Sequence, residues 1–139
     1  PWIDSGVEAA TQDPLTLLEL GRIVADVRAS EVLLKQAARS IDAAKPQPTE
    51  DNITQASLDV AKVRAHSSET ALKASSKLIE LAGSRGSQRV DGLDRFWRNA
   101  RTAASHNPLI FKQRIIGDYA VNGTEPVYVW QIGGGSKQQ

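Results

Sequence analysis

Apolar positions run through the first half of the chain at helical spacing. Leu17, Leu20, Val24, Val27, Leu34, Ala38 and Ile41 follow a three-four rhythm, the stripe of an amphipathic helix. Asp13-Pro14 marks its start as cap and first-turn proline. Lys45-Pro46-Gln47-Pro48 ends it, because proline supplies no N–H and restricts the residue before it. Glu31 interrupts the seam and is spaced to pair with Lys35 one turn on. Val32, Leu33 and Leu34 are consecutive, so the apolar face is broad enough to meet both the chain's own core and another subunit.

A second long helix is predicted from Thr49-Glu50-Asp51-Asn52, a cap with acidic residues at the dipole's positive end, to Gly83, about nine turns. It carries two seams, Ile53, Ala56, Val60, Val63, Ser67, Thr70 and Ala74 on one side, Leu58, Ala61, Ala65, Leu72 and Ile79 on another. That pattern suits an inner helix packed on two sides. Gly83-Ser84-Arg85-Gly86-Ser87 reads as a loop behind a left-handed cap. Two short helices follow, roughly 92–105 and 108–121, closed by Asn122-Gly123. Leu93, Phe96, Trp97, Ala100 and Ala104 form the apolar face of the first, and Arg95, Arg98 and Arg101 cannot all share it. The helices meet at His106-Asn107-Pro108, where Asn107 suits a cap and Pro108 a first helical position.

Outside these helices, residues 1–12 read as a lead-in that docks by Trp2, and 124–139 as an extended, partly flexible tail. Tyr128 and Trp130 are placed in it to dock on a neighbouring surface, ahead of Gly133-Gly134-Gly135-Ser136. With no confident strand, the expected fold is all-α, an up-down bundle of two long and two short helices in one domain over 1–139.

Composition narrows the function. Seventeen basic against sixteen acidic residues leave a net charge of +1, which gives no electrostatic case for nucleic acid or an anionic membrane. No apolar run reaches the length of about 20 residues that spans a bilayer, and the absence of cysteine excludes disulfides and thiolate metal sites. A cytoplasmic protein is expected. The chain holds no methionine and starts at Pro1, so it is read as part of a longer polypeptide.

His106 is the sharpest candidate for chemistry. Ahead of a helix N-terminus it would sit beside free backbone N–H groups, a place to hold an anion or a reactive oxygen. The plainer alternative is a junction histidine bonded to a backbone carbonyl. His66, midway along the inner helix, reads as a polar spacer on an exposed face, or, with Lys62 and Lys73 nearby, as the centre of a phosphotransfer or scaffolding module. Arg95, Arg98 and Arg101 could grip a phosphate or simply form a solvated face. No complete catalytic constellation is visible in the chain.

A family resemblance adds to this. Leu78-Ile79-Glu80-Leu81-Ala82-Gly83-Ser84-Arg85-Gly86, then Leu93-Asp94-Arg95-Phe96-Trp97-Arg98-Asn99-Ala100-Arg101, resembles the C-terminal helical domain of acyl-CoA dehydrogenases. Trp97 to Thr102, His106-Asn107-Pro108, Lys112, Ile116-Gly117 and Asn122-Gly123 look like the branch that contains dibenzothiophene monooxygenase and the sulfur-acquisition oxidoreductases, as does the segment from Pro1 to Glu8. The resemblance implies a bundle short of its first helix, which leaves an open groove, within a homotetrameric flavoenzyme that acts on a small molecule. Many of the dehydrogenases place a glutamate base where this chain has Asn107, and an amide cannot take an α-proton. Glu80 and Gly83-Ser84 also depart from the family's Gln-x-x-Gly-Gly loop, which favours FMN over FAD. In the monooxygenase branch the resemblance implies reduced FMN delivered by a separate flavin reductase. His106 would lie beside the flavin to hydrogen-bond and protonate bound oxygen, and Asn107, Arg98, Ser84 and Arg85 would be cofactor-binding positions. An FAD-dependent acyl-CoA dehydrogenase is the enzymatic alternative.

Overall fold

The computed structural model describes residues 3–127, and these form four α-helices with no strand. Short 3-10 turns at Ile3–Ser5 and Ala10–Gln12 lead into α1, Pro14–Ala44, which is followed by α2, Glu50–Leu81. A 3-10 turn, Gly83–Ser87, then leads to α3, Asp94–His106, and α4, Leu109–Asn122. Trp2, Tyr128, Trp130 and the Gly133–Ser136 stretch lie outside the described residues.

Local chemistry fixes the helix ends. The Asp13 carboxylate accepts from the backbone N–H groups of Leu15 and Thr16, and the Thr49 hydroxyl accepts from that of Asn52. Gly83 and Gly123 follow the ends of α2 and α4 with φ of 64° and 69°, the left-handed geometry that glycine adopts at least cost. The Gly123 N–H closes on the Tyr119 carbonyl at 2.9 Å.

α2 is the hub. α1 runs antiparallel along one side of it, while α3 and then α4 run down the other, and α2 is the shared neighbour of all three. Leu58, Ala61 and Ala65 are buried on α2, with Ala104 on α3 and Ala37 on α1, so the core is thin and built mostly from small residues that bring backbones close.

The α1 stripe does not face α2, contrary to the expectation from sequence. Leu17, Leu20, Val24, Val27, Leu34 and Ile41 are all exposed. The side of α1 turned to α2 instead carries Thr16, Glu19, Ile23, Asp26, Ser30, Leu33, Ala37 and Ser40, at the same three-four spacing. Polar groups can line that seam because most of them meet a partner on α2, while Thr16 bonds Asp13 at the helix cap. Asp59, buried on α2, accepts from Ser40 Oγ at 2.6 Å, Gln36 Nε2 at 3.3 Å and Lys62 Nζ at 3.0 Å. Lys73 pairs with Asp26 at 2.6 Å, and Lys77 with Glu19 at 3.6 Å. Glu31 bonds Arg28 at 2.6 Å on its own helix, in place of the expected Lys35.

His66 belongs to this seam rather than to an exposed face. Its Nδ1 lies 3.0 Å from Ser30 Oγ and 3.4 Å from Thr70 Oγ1, which accounts for a polar residue midway along a packed helix. Both the spacer and phosphotransfer readings are thereby replaced by a structural one.

Two outcomes follow from this packing. Burial pushes the Asp59 carboxyl up, but hydrogen bonds from Ser40, Lys62 and Gln36 outweigh it and hold the group below its ordinary value of 3.8. A depressed carboxyl contributes stability above its unfolded pKa and loses it as pH falls through the folded one. Asp59→Asn should therefore unfold at lower denaturant than the parent at neutral pH, and the gap should close below pH 3.8; denaturant midpoints across that range measure it. At Gly86, a Cβ would drive into the backbone carbonyl of Ile79 and crowd the Ala82 side chain at 3.0 Å. Gly86→Ala should cost about 1–3 kcal/mol, read as a lowered melting temperature by circular dichroism.

Candidate functional site

The break between α3 and α4 follows from one proline. Its ring disfavours helical geometry in the preceding residue, and Asn107 is accordingly extended, with φ −134° and ψ 99°. Pro108 itself has ψ 127° and sits just outside α4, whose first helical residue is Leu109. Asn107 therefore does not cap α4, and Pro108 is not its first residue, correcting both expectations. Pro108 has no side-chain acceptor, so the N-terminus of α4 carries no side-chain cap. An uncapped N-terminus presents backbone N–H groups and the positive end of the helix dipole. His106, the last residue of α3, is exposed directly beside it, and Asn107 is half-buried.

A residue not singled out from sequence holds this corner. Arg64 of α2 donates through Nη2 to the Ala103 carbonyl at 2.8 Å. That carbonyl is among the last four of α3, which have no intrahelical donor, and a cation there also opposes the negative end of the dipole. Arg64 Nε is buried without a hydrogen-bond partner. The signal in the sequence was slight: an arginine on the small-residue seam between Ala61 and Ala65, long enough to reach the next helix.

The other expected site residues lie apart from the corner. Arg98 is exposed and bonded to Asp94 at 3.1 Å, while Arg95 stacks on Phe96 and Arg101 on Trp97, so these arginines have local partners. Ser84 and Arg85 are exposed on the 3-10 turn before α3. α3 separates that turn from His106 by about 20 Å of helix. Within one chain, then, His106 and Asn107 share one end of α3, Ser84 and Arg85 approach the other, and Arg98 lies between.

A cavity elsewhere on the bundle has different chemistry. A groove of about 660 Å³ opens between α1 and α3 over the C-terminal half of α2, lined by residues that include Leu20, Ile23, Leu78, Leu81, Phe96 and Ala100. Its two hydroxyls are engaged, Thr16 with Asp13 and Ser75 with the carbonyls of Ala71 and Leu72. The groove suits an apolar segment rather than a polar substrate, and His106 is not among its lining residues. Among the described residues no group of three or more metal-ligating side chains is assembled, and no helix is long and apolar enough to cross a membrane.

Comparison with known proteins places this geometry. Residues 3–110 match the family model for the acyl-CoA dehydrogenase C-terminal domain. The chain is 31% identical over 130 residues to dibenzothiophene monooxygenase of Mycolicibacterium goodii, a match covering 91% of the chain and 31% of the relative. Methanesulfinate monooxygenase MsuC of Pseudomonas fluorescens superposes with a TM-score of 0.86 at 30% identity, over 93% of the chain and 34% of its own. The complex of TdsC from Paenibacillus sp. A11-2 with FMN and indole gives 0.84 at 30% identity, over 91% and 32%. The chain thus spans about a third of the length of these relatives.

The grip of Arg64 on α3 can be measured directly. Arg64→Met keeps the stem but removes the donor, and should destabilise the last turn of α3 by roughly 1–2 kcal/mol. Faster amide hydrogen exchange in the segment around Ser105 and His106, with the start of α3 unchanged, is the expected readout.

Proposed function

Because the chain belongs to the acyl-CoA dehydrogenase C-terminal domain family, we propose that it forms the C-terminal helical part of a flavin-dependent monooxygenase using reduced FMN and O2 on a small organosulfur or related compound. The observation that carries this reading is the corner at His106-Asn107-Pro108. An accessible imidazole adjoins an uncapped helix N-terminus, and an amide occupies the position where many dehydrogenases carry their base. Its support is the similarity to dibenzothiophene monooxygenase, to MsuC and to the FMN-bound TdsC.

The residues fit a reduced flavin at this corner. Reduced FMN, when bound, would supply the two electrons and two protons with which one oxygen atom of O2 goes to the substrate and the other leaves as water. His106 can donate and recover a proton from the end of α3, next to N–H groups of α4 that favour negative charge. Arg64, bonded to the Ala103 carbonyl, would steady the end of α3 that carries that imidazole. Asn107 offers an amide to the ring edge, while Arg98, Ser84 and Arg85 offer a guanidinium pair and a hydroxyl to a phosphate. In this reading Ser84 and Arg85, on the turn before α3, and Arg98, within it, would face the phosphate at a place apart from the His106 corner. FAD is the less favoured cofactor.

In this reading the rest of the enzyme supplies the substrate pocket, a separate flavin reductase supplies reduced FMN in the cytoplasm, and the enzyme is a homotetramer. The apolar groove between α1 and α3 receives the first helix of the family bundle.

The test uses the full-length enzyme with a flavin reductase. His106→Ala should raise hydrogen peroxide released per product formed about tenfold or more, on the scale typical of losing one general acid. Unchanged coupling would remove His106 from the reaction. Bleaching of bound flavin by a CoA thioester, without oxygen or added reductant, would replace the monooxygenase reading with a dehydrogenase.

A further inference from the structure

The break that carries His106 is tied to α2 on both sides. Pro108 leaves Asn107 extended, so the Asn107 N–H does not return to the Ala103 carbonyl as it would in a continuing helix. Arg64 takes that carbonyl instead, through Nη2 at 2.8 Å. About one and a half turns further along α2, the Glu69 carboxylate accepts from the Gln113 amide of α4. One bond holds the end of α3 and the other the second turn of α4, with His106, Asn107 and Pro108 between them.

Packing alone does not call for a guanidinium at position 64. Ala61 and Ala65, with Ala104 of α3, are small buried side chains that bring the two helices close, and an apolar stem would fill the same seam. Arg64 is half-buried, and among the described residues no carboxylate pairs with it; its counter-charge is the negative end of the α3 dipole. The planar group presents Nε–H parallel to the Nη2 donor, and that Nε is buried with no partner. An unpaired buried donor costs stability, which makes arginine a poor choice for packing and a specific one for the carbonyl it holds.

We propose that Arg64 and Glu69 are positioning residues for His106: α2 clamps both helices that flank the break and so sets where the imidazole stands. Ala103 and His106 are three residues apart, on one face of the last turn, so a bond that fixes the carbonyl also fixes the direction in which the imidazole leaves the helix. Arg64, half-buried, is the stronger arm, and Glu69, exposed, the weaker. The inference rests on the monooxygenase reading for its effect on turnover, and on geometry alone for its effect on His106.

The two effects are measured separately. The chain has two histidines, so the ring resonances of His106 and His66 can be followed by NMR in the 139-residue chain without flavin. Arg64→Met should shift and broaden the His106 signals and leave in place those of His66, which faces α1. Arg64→Lys, which restores a donor and the charge, should return them towards the parent, and Glu69→Ala should displace them less than Arg64→Met. Arg64→Gln serves in place of the methionine variant if that loses helix content by circular dichroism. In the full-length enzyme with a flavin reductase, Arg64→Met should raise hydrogen peroxide released per product about threefold or more, with the substrate KM within about twofold of the parent. Combined with His106→Ala it should release no more than His106→Ala alone, because no imidazole is left to position. Unmoved His106 signals in Arg64→Met would overturn the clamp. Additive effects in the double variant, or no recovery with Arg64→Lys, would overturn the positioning role and leave Arg64 a structural tie. If His106→Ala leaves coupling unchanged, the part given to His106 in turnover falls, and the ring signals still decide the clamp.

Discussion

The hydrogen-bonded seam between α1 and α2 is the constraint on which the other surfaces depend. Asp59 gathers Ser40, Gln36 and Lys62 around one carboxylate, while Asp26 with Lys73 and His66 with Ser30 repeat the arrangement further along. Because these contacts are polar and paired, they fix which side of α1 turns inward. The apolar side then has nowhere to go but outward. The exposed ion pairs contribute little individually, whereas the Asp59 group is buried and would be expensive to leave unpaired.

That arrangement explains where the sequence was readable. Asp13, Thr49, Gly83 and Gly123 act on neighbours within a few residues, so their roles as helix ends are written locally. The two seams of α1 share one period, and apolarity pointed to the wrong one. The decision lay in partners on α2, such as Asp59 for Ser40 and His66 for Ser30, which no local pattern reveals. Glu31 illustrates the same limit on a smaller scale: Arg28 and Lys35 are both within reach, and geometry selects Arg28.

At the candidate site the break at His106 was legible because proline announces it, but the cap was assigned one residue early. The restriction that Pro108 places on Asn107 outweighed the capping preference of asparagine. Arg64 was not legible, since its acceptor is a backbone carbonyl 39 residues away, and any residue type would present one there. The separation of Ser84 and Arg85 from His106 has a simple origin too. They flank a helix of 13 residues, so proximity in a motif did not translate into proximity in space.

The groove and the outward seam meet at Leu20, which lines the first and belongs to the second. Burial at the two surfaces is consequently coupled through α1. A segment seated in the groove would order the N-terminal turns of α1, and those same turns carry Leu17 and Leu20 for the seam. Anything that binds only the folded state stabilises it by mass action. With Leu58 its one large, fully buried side chain among the described residues, this bundle has a small internal core on which to rely. With polar groups on the inward side of α1 and apolar ones on the outward side, this bundle leaves apolar surface uncovered among the described residues.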